Sequence, residues 1–159
     1  MTELASTASR PPPGLTSIDV TDTAASCRPL QLPPEASSAG EARHYVRDCL
    51  GALGRPELIE CAVLGVDELV ANVCQHAGTP LVVDIGLAHD GRVRIEVTDL
   101  SPTAPVRRTA SDEAIGGRGL TLLDACGRWG LAPTTTSGSG KTIWFEPFSS
   151  LAQSTSALA

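Results

Sequence analysis

The spacing of apolar residues divides the first half of the chain into two helices. Between residues 35 and 53 apolar side chains recur every three or four positions, which predicts a first helix that Gly54 ends. Pro56 begins a second helix, which is predicted to run to about Ala77 and to stop at Gly78. The apolar positions of this second helix share one broad arc, which we expect to face a sheet: Ile59, Ala62, Val66, Leu69, Val70, Val73 and Ala77.

Shorter apolar or alternating segments predict strands. There are five of them, at residues 28–32, 81–87, about 93–97, 129–134 and 142–145. His89-Asp90-Gly91 predicts a hairpin turn between the second and third of these strands, and a short helix is predicted at about 120–126. Helices first, followed by antiparallel strands with one helix inserted, predict an α+β (α/β) two-layer sandwich. In it, the helices cover one face of a mixed, mostly antiparallel sheet.

The two ends of the chain lack this periodicity. Residues 1–26 are rich in Ser, Thr, Ala and Pro, which predicts a disordered tail, and residues 149–159 have the same character. The predicted domain therefore spans residues 27–148. A length of 159 residues fits one domain of this kind.

Charge and cysteine content narrow the classes of function. With 12 basic against 18 acidic residues, the net charge is −6, which argues against direct nucleic-acid binding. No apolar run approaches the ~20 residues of a membrane span, and the N-terminus does not resemble a signal peptide. Five cysteines without a CxxC pair predict free thiols in a reducing cytoplasm, rather than a disulfide framework or a structural zinc site.

Polar residues on the second helix are the first candidates for chemistry. Glu68, Asn72 and His76 stand four residues apart on an arc next to the apolar one. A carboxylate here could act as a general base, and the carboxamide oxygen of Asn72 is a hard ligand that suits Mg²⁺. The same spacing is also ordinary on a solvated helix flank, so the row alone leaves both interpretations open.

Two further segments could bind parts of a ligand. Asp99 ends a strand, where its carboxylate could accept a hydrogen bond from an amino group such as that of adenine, or could cap its own loop. Residues 116–120 read Gly-Gly-Arg-Gly-Leu before a predicted helix. Backbone N–H groups at such a helix start can bind phosphate, although a glycine cluster can equally be a hinge.

A third glycine-rich segment, residues 138–142, reads Gly-Ser-Gly-Lys-Thr. A phosphate-binding P-loop needs an earlier glycine where Thr135 stands, and a helix afterwards, whereas a strand is predicted to follow. The segment is therefore interpreted as a hairpin turn. This turn places Lys141 and Thr142 at the edge of the sheet, where the last predicted strand begins.

The order and spacing of these segments resemble the ATP-binding domain shared by histidine kinases, Hsp90, gyrase and MutL. Glu68-xxx-Asn72-xxx-His76 resembles its N box, and the Asp99 segment resembles its first glycine box. Residues 117–120 resemble the second glycine box, and residues 140–142 resemble the last. Within that superfamily the chain is most similar to the anti-sigma-factor serine kinases of Gram-positive bacteria, in particular their actinobacterial branch.

This resemblance implies a histidine-kinase/Hsp90-like ATPase fold that binds ATP and Mg²⁺. Asn72 would coordinate the metal, Glu68 would activate the attacking hydroxyl, and Asp99 would hold the adenine amino group. Backbone amides around Gly117 and Gly119 would bind phosphate. The remaining nucleotide-binding positions that the resemblance implies are His76, Arg118, Leu120, Lys141 and Thr142.

The resemblance also implies partners. The protein would be an anti-sigma factor that phosphorylates a serine or threonine of an anti-sigma antagonist, and a homodimer is expected. The alternative is a non-catalytic module that binds a partner in an ATP-dependent way and sequesters it. A stand-alone ATP hydrolase is a third hypothesis.

Departures from the family pattern separate these alternatives. Residues 99–102 read Asp-Leu-Ser-Pro where the family often has Asp-x-Gly-x-Gly, and no arginine stands directly before the glycines at 116 and 117. Arg107 and Arg108 are the candidates for that role. These departures favour the binding module, whereas Glu68 favours the kinase.

Overall fold

The computed structural model describes residues 23–101, 117–132 and 140–150, without the side chains of residues 23 and 117–120. Its helices are α1 (Ser38–Ala52), α2 (Ile59–Asn72) and α3 (Gly117–Cys126), with a 3₁₀ turn at Pro56–Leu58 before α2 and a π turn at Val73–Ala77 after it. Its strands are β1 (Thr23–Ser26), β2 (Leu30–Leu32), β3 (Leu81–Ala88), β4 (Val93–Asp99), β5 (Gly127–Ala132) and β6 (Lys141–Pro147). Among these residues, no helix has both the length and the apolar character that crossing a bilayer requires.

The strands form one sheet in the order β1-β3-β4-β6-β5, and β2 pairs with β3 beside β1. Every pairing between described strands is antiparallel. The prediction of an α+β fold with a mainly antiparallel sheet and few helices is confirmed. The pairing of β4 with β6 matters most for function, because it places the end of β4 next to the start of β6.

The helices pack on one face of this sheet around an aliphatic core. Alternate strand residues face the helices, and Ile85, Ile95 and Phe145 are fully buried there. Gly65 lets α2 approach closely, because a Cβ atom at this position would lie 2.3 Å from Cε1 of Phe145. The arc predicted to face the sheet is confirmed, since Ala62, Val66, Leu69, Val70 and Val73 are all buried.

The first strand was not expected. Thr23–Ser26 pairs with β3 opposite Gly86–Ala88, so the prediction of a disordered tail over residues 1–26 is wrong for these four residues. Their sequence, Thr-Ala-Ala-Ser, has no strand signal of its own. Backbone hydrogen bonds to the edge of β3 form the strand instead. The rest of that predicted tail, and residues 151–159, lie outside the described residues.

The cysteines also depart from expectation. Cys27 and Cys49 form a disulfide with their Cα atoms 6.0 Å apart, whereas Cys61, Cys74 and Cys126 are free. The prediction of free thiols is therefore wrong for one pair. The cause is tertiary: Cys27 follows β1 and donates its N–H to the Ile85 carbonyl, and α1 packs along the same edge. A separation of 22 residues carries no signal of this contact.

Candidate functional site

The end of α2, the end of β4 and the start of β6 lie at one end of the molecule. Asp99, the last residue of β4, lies directly opposite Lys141, the first residue of β6. The N–H of Leu100 donates to Oγ1 of Thr79 at 3.1 Å. This hydrogen bond links the segment that follows α2 to the segment that follows β4. The helix α3 begins at Gly117 and packs against α2. The end of α2, the end of β4 and the start of β6 therefore border a common site.

The polar row of α2 is available for chemistry. Glu68 and Asn72 are half-buried and His76 is exposed. Within the described parts of the chain, none of the three side chains has a hydrogen-bond partner. Burial raises the pKa of the Glu68 carboxyl, and the nearby negative charge of Asp67 raises that pKa further. A carboxyl group that is partly desolvated and makes no such bond is suited to accept a proton.

The π turn changes how this row ends. The N–H of Gly78 donates to the Val73 carbonyl at 2.9 Å, and Gly78 has a φ of 59°, in the left-handed region that favours glycine. The predicted stop at Gly78 is therefore confirmed. Each residue of a π turn advances by a smaller angle than in an α-helix, so His76 lies further back around the axis, towards the line of Glu68. Such turns occur frequently at functional sites.

Asp99 is the most buried polar residue of the site, at 2% exposed. Its Oδ2 lies 2.8 Å from Nζ of Lys141, and its Oδ1 accepts the N–H of Ser101 at 2.8 Å. Of the two interpretations from sequence, the loop cap is present. The amino group that Asp99 contacts here belongs to Lys141. Its proposed contact with adenine stays a prediction.

Gly140 makes the contact between these two strands possible. It has a φ of 154°, and a Cβ atom at this position would lie 2.8 Å from the Asp99 carbonyl oxygen. A residue with a side chain would therefore both strain the backbone and press on β4. This glycine fixes where Lys141 enters the sheet.

Thr142 is the predicted site residue that the structure does not bring to the others. Successive strand residues point to opposite faces of a sheet, so Thr142 faces away from α2 while Lys141 faces towards it. The Thr142 hydroxyl lies 2.8 Å from that of Thr98 on that far face. Its position predicts a structural role in the β4–β6 ladder.

The second glycine segment falls in the first turn of α3. This helix begins three residues earlier than the predicted start at Leu120, so it includes Gly117, Arg118 and Gly119. The first N–H groups of any helix lack partners within the helix, which is the property that phosphate binding needs. The side chains of Arg118 and Leu120 lie outside the described residues, as does the segment 102–116 with Arg107 and Arg108.

Sequence reasoning missed two interactions of the site: the Thr79 hydrogen bond and the Asp99–Lys141 ion pair. The Ser101 contact was within reach of a local signal, because an Asp two residues before an N–H group is typical of a capped turn. The ion pair joins residues that are distant in sequence. It could be found only by knowing that β4 pairs with β6 in this register.

The donor set fits a magnesium ion that is shared with phosphate. Among the described residues no three His, Cys, Asp or Glu side chains cluster around a point. Mg²⁺ bound to a nucleotide keeps several waters and takes only one or two protein ligands. The carboxamide of Asn72 suits the role of such a protein ligand, because it is half-buried and makes no hydrogen bond to a described residue.

Comparison with known proteins identifies a domain family over more than half of the chain. Residues 32–126 match the family model of the histidine kinase-like ATPase domain. This segment includes the polar row, Asp99 and the start of α3. No characterised protein matches the chain by sequence.

A solved structure similar to this one is the crystal structure of the RsbU and RsbW domains of Rv1364c from Mycobacterium tuberculosis. The two chains are 21% identical and superpose with a TM-score of 0.54. The match covers 76% of this chain and 32% of the other, so this chain spans about a third of that protein. At this identity the likeness shows the fold alone.

Proposed function

Because the chain belongs to the histidine kinase-like ATPase domain family, we propose that it is an ATP-binding anti-sigma factor. Its proposed activity is that of a serine/threonine protein kinase acting on an anti-sigma antagonist. The observation that carries the proposal is the pair Glu68 and Asn72 at the end of α2. Both are half-buried on a helix that packs against α3, and neither side chain has a hydrogen-bond partner among the described residues.

Each residue has a defined part in this proposal. Phosphoryl transfer depends mainly on positioning and on neutralising charge. Asn72 would hold Mg²⁺, which supplies positive charge at the phosphates when it is bound. Amides of the first turn of α3, around Gly117 and Gly119, would bind phosphate oxygens. Glu68, with its raised pKa, would accept the proton of the attacking serine or threonine hydroxyl.

A non-catalytic binding module is the second candidate. The observation that favours it is in the sequence: no arginine stands directly before the glycines at 116 and 117, where the family's kinases would hold one against the γ-phosphate. A protein of this kind would bind ATP and sequester its partner without transferring phosphate. The two candidates share the nucleotide site and differ in whether Glu68 takes part in a reaction.

The proposed partners are an anti-sigma antagonist, a sigma factor or both, together with a second copy of the chain. Support comes from the sequence resemblance to anti-sigma-factor kinases and from the fold shared with a solved protein that contains an RsbW domain. We place this activity in the cytoplasm. Disulfides there are rare and mostly transient, so we expect the Cys27–Cys49 bond to form and break reversibly.

The kinase proposal is tested by incubating the protein with ATP labelled at the γ-phosphate, Mg²⁺ and a candidate antagonist. Glu68→Gln keeps the size of the side chain, so ATP binding should stay close to that of the wild type. Phosphate transfer should fall about 10²–10⁴-fold, the usual contribution of a general base. Glu60→Gln is the matched control, since Glu60 is an exposed residue of the same helix.

The results separate the two candidates. If the wild type binds ATP and its partner but neither form transfers phosphate, the protein is the binding module. Transfer at the wild-type rate by Glu68→Gln would remove Glu68 from the mechanism. Asn72→Ala should lose Mg²⁺-dependent ATP binding while keeping its fold. If ATP stabilises this variant against heat as much as it stabilises the wild type, Asn72 does not hold the metal.

A further inference from the structure

The two strands on the outer edge of β3 are held there in different ways. β2 is fixed by a side chain of its own, because Leu32 is 3% exposed and belongs to the core. No described side chain of β1 is buried, since Ala24 and Ser26 are exposed and Ala25 is only half-buried. The pairing of β1 is also short, and its register with β3 shifts after Thr23. β1 therefore makes backbone hydrogen bonds but lacks the packing that would hold it at the edge.

The Cys27–Cys49 disulfide supplies that missing attachment. Cys27 directly follows β1, and its N–H donates to the Ile85 carbonyl at 3.0 Å. Cys49 is 4% exposed and lies on the face of α1 that packs into the core. One covalent bond therefore joins an edge strand to a helix that is fixed by burial. Cys27 is half-buried, so its sulfur is the one of the two that a reagent in solvent can reach.

A buried hydroxyl beside the disulfide favours an open form of this edge. Tyr45 lies one turn before Cys49 on α1, so the two side chains are neighbours. The Tyr45 hydroxyl oxygen is buried and makes no hydrogen bond to a described residue. Burial raises the pKa of this hydroxyl, and the charge of Asp84 raises it further. Asp84 lies in β3 between the segment that pairs with β2 and the segment that pairs with β1. A buried hydroxyl without a partner is unfavourable, and contact with water would remove that penalty.

We propose that Cys27 and Cys49 form a thiol–disulfide switch that determines whether β1 stays on the edge of β3. In the oxidised form the bond keeps β1 in place. In the reduced form β1 separates from the sheet, and the peptide groups of β3 opposite it, at Gly86–Ala88, become accessible to water. β2 stays paired in both forms, because Leu32 remains buried.

The switch is opened by a dithiol reductant in two exchange steps. The first thiolate of the reductant attacks Sγ of Cys27, the bond to Cys49 breaks, and Cys49 leaves as a thiolate that takes up a proton. The second thiolate of the reductant then attacks its own sulfur in the mixed disulfide, and Cys27 leaves as a thiolate that is protonated in turn. The reductant ends as a disulfide, having given up two electrons and two protons. A disulfide oxidant reverses both steps.

The switch lies far from the candidate nucleotide site. Cys74, after α2, donates to the Glu35 carbonyl before α1, so the two helices run antiparallel. Cys49 is near the C-terminal end of α1 and is therefore distant from Asn72 at the end of α2. β1 likewise pairs with the end of β3 that is farthest from Asp99. Nucleotide binding should be the same in both redox forms, so this inference and the proposed function can fail separately.

Hydrogen exchange followed by NMR measures how firmly β1 is attached. The samples are oxidised wild type, wild type reduced with dithiothreitol, and Cys27→Ser, which cannot form the bond. Amide exchange in residues 24–26 should be at least about tenfold faster in the last two samples, because the disulfide no longer restricts the open form. Residues 30–32 of β2 are the internal reference and should change little. Cys74→Ser is the matched control, since Cys74 is a free thiol, and it should behave as the oxidised wild type does.

Tyr45 is the only tyrosine in the sequence and gives a second measurement. N-acetylimidazole acetylates a tyrosine hydroxyl that it can reach, and peptide mass spectrometry reads the product at Tyr45. Acetylation should be at least about tenfold faster in Cys27→Ser than in Cys74→Ser, in step with the larger open fraction. This comparison needs no reductant, which would itself consume the reagent.

Each other result counts against the switch. Equal exchange of residues 24–26 in the oxidised and reduced wild type would show that backbone pairing alone holds β1. Loss of protection in β2 together with β1 would show that the whole edge opens, and would overturn the assignment to one strand. Failure of oxidised glutathione to rejoin Cys27 and Cys49 in the reduced protein would show that the bond is not reversible. Where Cys27→Ser does not fold, the reduced wild type still decides. A wild type that binds no ATP in either form would overturn the proposed function and leave this inference standing.

Discussion

Strands β4 and β6 carry ion pairs at both ends of their shared ladder, and the two ends differ in almost every respect. At the site end, the anion Asp99 belongs to β4 and the cation Lys141 belongs to β6. At the far end, about 20 Å away along the strand, Arg94 of β4 pairs with Glu146 of β6, joined by Arg92 just before β4. The site-end pair faces the helices, whereas the far-end pair lies on the open face of the sheet.

Burial separates the roles of the two pairs. At the far end Glu146 is 11% exposed, but both of its cations are exposed, Arg92 at 53% and Arg94 at 36%, and ion pairs with solvated cations contribute little to stability. Asp99 is 2% exposed, so its charge depends on its partners in a medium where an unpaired charge is costly. The far end thus stabilises the sheet a little. At the site end, the buried ion pair can form hydrogen bonds with a ligand. A pair of apolar side chains in its place could not.

Removing the cation at each end gives the largest expected contrast. Lys141→Met leaves Asp99 buried with only the N–H of Ser101 to compensate its charge, and should lower the free energy of unfolding by about 3–5 kcal/mol. Arg92→Met should lower it far less, because Arg92 is exposed and Glu146 keeps Arg94 as its partner. Urea denaturation of both variants, beside the wild type, measures this difference. Equal losses would show that the Asp99–Lys141 pair is as well solvated as the far one.

Two glycines extend the contrast to the backbone. Gly91, in the turn before β4, and Gly140, before β6, both have positive φ values, of 85° and 154°. Alanine at either position is strained, but only at Gly140 would its Cβ press on backbone, 2.8 Å from the Asp99 carbonyl oxygen. Gly140→Ala should therefore cost about 1–3 kcal/mol more than Gly91→Ala. Thermal unfolding of the two variants tests the order.

Glu68 gives the smallest effect, and its direction depends on pH. Its folded-state pKa is raised above the ordinary value of 4.5, so the folded protein holds this proton more tightly than the unfolded chain does. The stability that this group contributes is complete below pH 4.5 and is lost as the pH rises through the folded-state pKa. At pH 7 the melting temperature of Glu68→Gln should therefore be slightly higher than that of the wild type. Near pH 4 the two melting temperatures should be equal. A variant that melts below the wild type at pH 7 would contradict this sign.

Local sequence signals were sufficient for the helices and most strands. The apolar arc of α2 and the stop at Gly78 are properties of adjacent residues, and both are found in the structure. Contacts between distant segments could not be predicted in the same way. The Asp99–Lys141 pair depends on the register of β4 with β6, and the Cys27–Cys49 bond depends on how α1 lies along the sheet edge.

In the candidate site, too, features with a local sequence signal were predicted and features that depend on tertiary structure were not. Glu68, Asn72 and Asp99 stood out because polar residues at the margin of an apolar pattern are conspicuous in any sequence. Thr142 was grouped with Lys141 because the two are adjacent, yet the alternation of a strand sends their side chains to opposite faces. The π turn after Asn72 has no residue pattern that would predict it.

The Cys27–Cys49 bond closes the chain into a covalent ring that includes β2 and most of α1. A protease that cuts once inside this ring, for example in the exposed link around Glu35, produces two fragments that stay joined. On a gel without reductant such a nicked molecule migrates as one band, and with reductant it separates into two. The first strand would in that case remain attached to the rest of the domain after the backbone between them had been severed.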